Sequence, residues 1–100
     1  MTRGSLIVFE GAEGVGKSTQ IKLIASRLAG IGVPCLTLRE PGGTPVGDAI
    51  RKIVLDSEHH ITAQAEALLF MASRAELIAR EIRPAIAQGT VVLLDRFFLP

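Results

Sequence analysis

One short segment constrains the fold of this chain more than any other feature, because it matches the phosphate-binding pattern G-x-x-x-x-G-K-[ST] in full. Its residues are Gly11-Ala12-Glu13-Gly14-Val15-Gly16-Lys17-Ser18. A short apolar run precedes it and a helical pattern follows it, which is the context that the pattern requires. The glycines let backbone N–H groups turn inward around an anion, and the start of the helix adds positive potential. Lys17 would contact the β- and γ-phosphates of a nucleotide, and the Ser18 hydroxyl is placed to bind Mg²⁺. The alternative is a turn that only connects strand to helix.

Apolar patterns divide the chain into alternating strands and helices. Buried strands are predicted at residues 6–9, 34–38 and 90–94. Helices are predicted at about 17–29, 45–55 and 62–81, with a last turn at 85–88. Thr44 would cap the second helix, with Pro45 at its first position, and the third would stop or kink before Pro84. This order predicts the α/β class, with right-handed crossovers around a parallel sheet that has three strands and is incomplete.

Each predicted helix carries an apolar stripe that we expect to face the core. The first stripe is Ile21, Ile24, Ala25 and Leu28. The second is Val46, Ala49, Ile50, Ile53 and Val54. The third is Leu68, Met71, Ala72, Ala75, Ile78, Ala79 and Ile82.

Charge and composition argue against several classes of protein. Lys and Arg number 11 against 10 Asp and Glu, so the net charge of +1 does not indicate a nucleic-acid-binding arm or a polybasic membrane patch. The apolar runs are far shorter than a bilayer span, and the N-terminus leaves no room for a signal peptide. A single cysteine, Cys35, excludes an internal disulfide. We expect a cytoplasmic protein that binds neither nucleic acid nor membrane.

Charged residues follow the second and third predicted strands, at the end where ligands bind in open α/β sheets. Asp95 and Arg96 follow the third strand, and a carboxylate there can orient Mg²⁺ and its waters or accept a proton. An ordinary strand-ending aspartate is the alternative. Arg51, in the second helix, is compatible with pointing into this cleft or into water. The loop after the second strand is Arg39-Glu40-Pro41-Gly42-Gly43-Thr44, whose glycines would let the backbone approach a ligand.

Phe70 and Arg74 lie one turn apart on the third helix, opposite its apolar stripe. The ring could stack on a base while the guanidinium offers a planar fork to a carbonyl or ring nitrogen. An Arg74 folded over the Phe70 ring in a cation–π contact explains the pair equally well.

Taken together, four segments resemble the bacterial branch of the thymidylate kinase family over nearly the whole chain. They are Phe9-Glu10-Gly11-Ala12-Glu13-Gly14-Val15-Gly16-Lys17-Ser18-Thr19, Arg39-Glu40-Pro41-Gly42-Gly43-Thr44, Leu69-Phe70-Met71-Ala72-Ser73-Arg74 and Asp95-Arg96-Phe97. The resemblance implies a P-loop nucleoside-triphosphate hydrolase-like three-layer sandwich. It also implies a phosphotransferase that uses ATP and Mg²⁺ to convert thymidine monophosphate (dTMP) to dTDP, in dTTP biosynthesis.

The resemblance also implies a role for each matching residue. The catalytic residues would be Lys17, Asp95 and Arg96, and Mg²⁺ would be held by Ser18 and Asp95. The phosphates of ATP would be bound by Gly11, Ala12, Glu13, Gly14, Val15, Gly16, Lys17, Ser18 and Thr19. The dTMP site would comprise Glu13, Glu40, Pro41, Arg51, Phe70, Arg74 and Arg96. Within it, Phe70 would stack on thymine, Arg74 would bond the base, Arg51 and Arg96 would hold the phosphate, and Glu13 would face the 3′-hydroxyl.

On this resemblance, residues 1–100 are the N-terminal part of a single kinase domain whose lid and later strands are absent, and the complete protein is a homodimer. Gly14 stands where one branch of the family has a basic residue, which implies that the transition-state arginine comes from the lid. Pro100 stands where the family usually has serine. We therefore expect the 100-residue chain to have little or no activity.

Three other functions were weighed against this one. A GTPase needs D-x-x-G and N-K-x-D, and the sequence has no asparagine and no D-x-x-G. Another nucleotide or nucleoside kinase would share the phosphate loop but not obviously Phe70 and Arg74. A non-catalytic nucleotide-binding fragment would bind ATP without turnover that depends on dTMP.

Overall fold

The structure, a computed structural model, describes residues 3–11, 16–56 and 60–97, and it has the predicted alternation of strands and helices. The strands are β1 (Leu6–Gly11), β2 (Cys35–Glu40) and β3 (Val91–Phe97). The helices are α1 (Lys17–Gly30), α2 (Pro45–Leu55), α3 (Ala63–Leu77) and α4 (Arg83–Ala87), with a π-helical turn (Ile78–Ile82) between α3 and α4. Each strand runs two or three residues past its predicted end, because pairing continues from the apolar run into charged residues.

The three strands form one parallel sheet in the order β1-β3-β2, so the last strand in sequence is the central one. This confirms the predicted α/β class. In the register of the sheet, Glu10 of β1 and Glu40 of β2 both lie beside Arg96 of β3. The strand order therefore brings one basic and two acidic residues into a row at the carboxyl edge of the sheet.

Helices lie on both faces of the sheet, and the alternation of β3 side chains connects the two sides. They do not cover the outer strand β1, so the prediction that residues 6–9 are buried is wrong for Leu6, Ile7 and Val8, which are exposed. The core cluster on one face comprises Leu77, Ile82, Ala85, Val92 and Leu94. Leu93 points to the opposite face, where α1 packs with its buried Ile21. Full burial of one such side chain contributes about 1.5–3 kcal/mol, so these central β3 residues anchor the layers to each other.

The start of α2 is as predicted, but its buried face is not. The Thr44 hydroxyl accepts a hydrogen bond of 2.9 Å from the Gly47 N–H, and Pro45 occupies the first helical position. Ile50 is buried, as predicted, and Val54 is half-buried. The predicted stripe is wrong at its other members, since Val46, Ala49 and Ile53 are exposed. The reason is that α2 approaches α3 at Gly47, a position that a hydrophobic pattern does not mark.

The predicted core stripe of α3 is wrong over most of its length. Its exposed members are Leu68, Met71, Ala72, Ala75 and Ala79, whereas Ile78 is half-buried and Ile82 is buried. The inward face instead contains Ser73 and Leu77, which are fully buried. Apolar residues surround nearly the whole of α3, so periodicity alone could not select the buried face. The contact with α2 and with the loop after β2 selects it instead.

Pro84 neither stops nor breaks the helical segment, because a wider turn precedes it. The N–H of Arg83 donates to the carbonyl of Ile78 in a π-type bond, and α4 follows directly. Proline lacks an N–H and its ring clashes with the carbonyl four residues earlier, so a wider turn relieves both problems. Across the described ranges, every helix is too short or too polar to cross a bilayer.

Candidate active site

The polar side chains of interest lie where the three parallel strands end. The carboxyl ends of β1, β3 and β2 are neighbours at one edge of the sheet, and α1 and α2 begin beside it. Consecutive side chains alternate between the faces, so Asp95 lies on the α1 side of β3 and Arg96 on the α3 side. The site therefore has two halves, one on each face of the same edge.

On the α1 side, the Lys17 ammonium is buried among three oxygen atoms. Its Nζ lies 2.6 Å from Asp95 Oδ1, and it donates to the carbonyl of Gly11 at 2.6 Å and to that of Arg96 at 3.5 Å. The Lys17 residue is only 7% exposed, so the charge is held by the ends of β1 and β3 rather than by solvent. The two predicted residues Lys17 and Asp95 are therefore brought together.

The N-terminus of α1 is suited to an anion. Gly16 precedes the helix with φ 80°, a left-handed conformation in which a residue with Cβ would be strained. The first turn contains no acidic residue, so nothing there opposes the positive end of the helix. Ser18 and Thr19 are exposed in this turn. The other predicted loop residues lie outside the described residues; they are Ala12, Glu13, Gly14 and Val15.

The donor atoms near Lys17 fit the predicted Mg²⁺. Asp95 contributes a carboxylate and Ser18 a hydroxyl, both of which are oxygen ligands that Mg²⁺ prefers. Beside Asp95 lies an open depression of about 420 Å³, lined also by Thr37, Arg39 and Asp48. There is therefore room for a hydrated ion or a phosphate next to the Asp95 carboxylate.

On the α3 side, Arg96 lies between two carboxylates. Its Nη1 is 2.8 Å from Glu10 Oε1, and its Nε is 3.9 Å from Glu40 Oε2. Within residues 3–11, 16–56 and 60–97, no atom accepts a hydrogen bond from this buried Nε. The Glu10 side chain is 59% exposed, whereas that of Glu40 is 3% exposed, so the two carboxylates differ in how easily a ligand could replace them.

Arg74 reaches from α3 to the same buried carboxylate. Its Nε lies 2.9 Å and its Nη2 2.7 Å from Glu40 Oε2. Phe70, one turn earlier on the inward face of α3, is half-buried. The structure therefore brings Arg74 to the edge of the sheet with an acidic partner, while Phe70 is partly buried one turn away.

The loop after β2 is fixed by the helices on either side of it. Arg51 Nη1 donates to the carbonyl of Pro41 at 3.0 Å, so the Arg51 side chain turns toward the cleft, an orientation that its sequence position left open. The N–H of Gly42 donates to the Ser73 hydroxyl at 3.1 Å, and this bond is buried. The Glu40–Pro41 peptide bond is cis. The loop is thus held by side chains of both helices that flank it, α2 and α3.

Sequence reasoning missed three residues that shape this site. They are Glu10, which pairs with Arg96; Asp48, whose carboxylate accepts a bond of 3.0 Å from the Gly43 N–H; and Ser73. Ser73 carried one available signal, because it is a hydroxyl directly before Arg74 in an otherwise apolar turn. Glu10 and Asp48 could be assigned only with the strand order and the loop geometry known.

Comparisons with known proteins agree with this geometry. The thymidylate kinase family model matches residues 9–99. The chain is 58% identical over 93 residues to a thymidylate kinase of Chlorobium luteolum, covering 93% of this chain and 44% of that protein. It is 48% identical over 95 residues to a thymidylate kinase of Caldanaerobacter subterraneus, covering 95% and 46% respectively. The chain therefore spans less than half the length of these relatives.

Solved structures show the same similarity. The crystal structure of thymidylate kinase from Ehrlichia chaffeensis superposes with a TM-score of 0.84 at 36% identity, covering 94% of this chain and 55% of that one. Thymidylate kinase from Candida albicans gives 0.77 at 34% identity, covering 94% and 40%. With a family model that matches residues 9–99 and solved structures that superpose over 94% of its length, the chain belongs to the thymidylate kinase family.

Proposed function

We propose that the protein transfers the γ-phosphoryl group of ATP to dTMP, giving dTDP for dTTP biosynthesis, and that the described residues supply most of both binding sites. One observation carries the proposal. At a single edge of the sheet, the Lys17–Asp95 pair lies on the α1 side, while Arg74 and Arg96 lie on the α3 side. Basic side chains that can bind phosphate on opposite faces of one edge suit a donor and an acceptor that must meet in line.

On the donor side, we assign the phosphates of ATP to residues 11–19. Lys17, already held at the strand ends, supplies positive charge to the β- and γ-phosphates, and the N–H groups at the start of α1 supply further donors. Ser18 and Asp95 would hold Mg²⁺, which would neutralise charge between the β- and γ-phosphates. Asp95 also fixes the Lys17 ammonium through the contact of 2.6 Å.

On the acceptor side, we assign the base to α3 and the phosphate to the strand ends. Phe70 would stack on thymine and Arg74 would donate to its ring, while Arg51 and Arg96 would bind the phosphate of dTMP. Glu13 would face the 3′-hydroxyl, and the Glu40-Pro41 segment would line the same pocket. The hydrogen bonds that fix the loop support this assignment, since they hold one wall of the pocket in place before a ligand binds.

Positioning and charge stabilisation suffice for this reaction. A phosphate oxygen of dTMP forms a bond to the γ-phosphorus while the bond from that phosphorus to the bridging oxygen of ADP breaks. The attacking oxygen is already anionic, so no side chain has to remove a proton. Lys17 and Arg96 would stabilise the charge that spreads over the transferring group. We assign the further arginine that a transition state of this kind needs to a lid outside residues 1–100.

We propose further that these 100 residues are the N-terminal part of one kinase domain and have little or no activity alone. The coverage of less than half of each curated relative supports this. A cytoplasmic location is proposed because the single cysteine, half-buried in β2, suits a reducing compartment.

We propose that the full-length protein, meaning the product of the complete reading frame that encodes this chain, is a homodimer. Support comes from apolar side chains that α2 and α3 expose; they are Val46, Ile53, Leu68 and Met71. A row of this kind on two packed helices is typical of a surface that meets a second copy.

An ADP-release assay on the 100-residue chain and on the full-length protein tests the proposed reaction. The acceptors are dTMP, dUMP, AMP and none. Activity with dTMP in the full-length protein alone would support both the reaction and the partial site. Release of ADP with another acceptor, or none with dTMP, would overturn the assignment of the α3 side. ATP binding without turnover would favour the non-catalytic alternative.

Lys17→Ala in the full-length protein should reduce ATP binding and turnover by at least about 100-fold, because a charged contact to the phosphates is lost. Calorimetric titration with ATP measures the effect. Lys22→Ala, at an exposed position of the same helix, is the matched control and should bind normally. ATP affinity that survives in a folded Lys17→Ala protein would contradict the donor site.

A further inference from the structure

One buried carboxylate lies beside two arginines that we assign to the acceptor site. We call Arg74 the base arm of that site and Arg96 its phosphate arm. Glu40 ends β2, and its side chain is 3% exposed although it bears a charge. The same oxygen, Oε2, receives Nε and Nη2 of Arg74 from α3 and faces Nε of Arg96 from β3. A buried carboxylate is costly unless it is paired, so Glu40 is held where these two guanidinium groups converge.

The pairing with Glu40 determines which N–H groups of Arg74 remain available to a ligand. A guanidinium has five N–H groups in one plane. Two of them, on Nε and Nη2, point at Glu40, so the Nη1 group and the second hydrogen of Nη2 lie on the outer edges. The Arg74 side chain is 41% exposed, which leaves that outer part open to the cleft. Glu40 thereby sets which donors of Arg74 face a base.

The guanidinium of Arg96 is paired less completely than that of Arg74. Its Nε is buried and, in the part of the chain that the structure describes, without an acceptor. Glu40 Oε2 is 3.9 Å away, about 1 Å beyond an ordinary N–H···O bond. The exposed Glu10 occupies Nη1 instead. A small movement of Arg96 toward Glu40 would satisfy the orphaned donor and leave Nη1 for an anion in place of Glu10.

We propose that Glu40 is a positioning residue shared by Arg74 and Arg96, which sets the base arm and the phosphate arm of the acceptor site together. It acts through the two arginines rather than by touching the nucleotide. The inference rests on the proposed function, because it takes dTMP as the ligand that spans both arms. It predicts that removing the Glu40 charge disturbs both arms at once.

The Kd values of thymidine and dTMP report on the two arms separately, because thymidine carries the base but no phosphate. In the full-length protein, Glu40→Gln keeps the size of the side chain and removes its charge. We expect the Kd of thymidine to rise about tenfold, because Arg74 is misplaced. The Kd of dTMP should rise about 100-fold, because both arginines are misplaced. The KM for ATP should be unchanged. The matched control is Glu76→Gln on α3, the helix that carries Arg74; it removes the exposed pair with Arg80 and should alter neither Kd.

Two results would overturn the inference. An equal rise for thymidine and dTMP would mean that Glu40 positions Arg74 alone, and no rise in a protein with an unchanged melting temperature would mean that it positions neither. If Glu40→Gln does not fold, Glu40→Asp keeps the charge with a shorter reach, and the same larger loss for dTMP than for thymidine is expected. An unaltered protein that binds neither ligand would overturn the proposed function, and the inference with it.

Discussion

Ser73 connects α3 to the loop after β2 through a single hydroxyl. It is 1% exposed and accepts the buried N–H of Gly42 at 3.1 Å. Replacing it by alanine leaves that N–H without a partner, at a cost of about 1–3 kcal/mol. We expect Ser73→Ala to lower the free energy of unfolding by this amount and to raise the KM for dTMP. Urea denaturation measures the first effect. The control is Ser26→Ala, at an exposed position of α1. Equal stability of the two variants would contradict the role of the Ser73 hydroxyl in holding the loop.

Cys35 lies in β2, and burial raises the pKa of its thiol above the ordinary value of 9.0. The unfolded chain therefore loses this proton at lower pH than the folded one. The contribution of the neutral thiol to stability is complete below pH 9.0 and declines as the pH rises from there through the folded pKa. Urea denaturation at pH 8 and 10 should show a smaller loss of stability in Cys35→Ala than in the unaltered protein. Equal losses of stability in the two proteins would contradict the raised pKa of the Cys35 thiol.

At the level of elements, α2 and α3 approach each other at Gly47. A Cβ added there would lie 2.9 Å from the Thr44 hydroxyl and 3.0 Å from that of Ser73. We expect Gly47→Ala to destabilise the protein by about 1–3 kcal/mol, because both hydroxyl groups would have to move. The control is Gly30→Ala at the end of α1, where the added Cβ meets nothing within 4 Å. Thermal unfolding of both variants measures the difference, and a neutral Gly47→Ala would show that the two helices separate freely.

Periodicity predicted the existence of every strand and nearly every helix, because short apolar runs and capping residues are local signals. Thr44 and Pro45 fixed the start of α2 to the residue. Local signals do not determine which face of a helix is buried, because burial depends on the elements that pack against the helix. The exposed Leu68 and the buried Ser73 on α3 reverse the expectation from hydrophobicity. Around Ser73, α3 packs against a polar loop and a glycine, and no pattern within α3 encodes those partners.

For the molecule as a whole, the apolar side chains exposed on α2 and α3 predict how copies meet. Met71 on α3 is 65% exposed. Met71→Glu should convert the proposed dimer of the full-length protein into monomers, because it would bury an unpaired charge in the interface of each copy. Light scattering after size-exclusion chromatography gives the mass. Ile31→Glu, at an exposed apolar position after α1, should remain a dimer. A dimeric Met71→Glu would place the interface elsewhere.

The candidate site was predictable where local motifs mark its residues. Lys17 and Asp95 were expected at the carboxyl edge and lie 2.6 Å apart there. The pairing of Arg96 with both Glu10 and Glu40 follows from the strand order β1-β3-β2, which puts the last strand between the other two. That order is a long-range property of the fold, so a reading of local patterns could not assign these two carboxylates.

The alternation of side chains along β3 has a consequence for how this gene can change. Asp95 and Arg96 are adjacent in the chain yet lie on opposite faces, so inserting or deleting one codon between residues 91 and 93 would exchange their sides. The carboxylate would then lie among the arginines and the guanidinium would lie beside Lys17, while Leu93 and Leu94 would also trade sides. A change of one residue in the length of this strand would therefore disrupt both halves of the site and the core together, unless a β-bulge absorbed it.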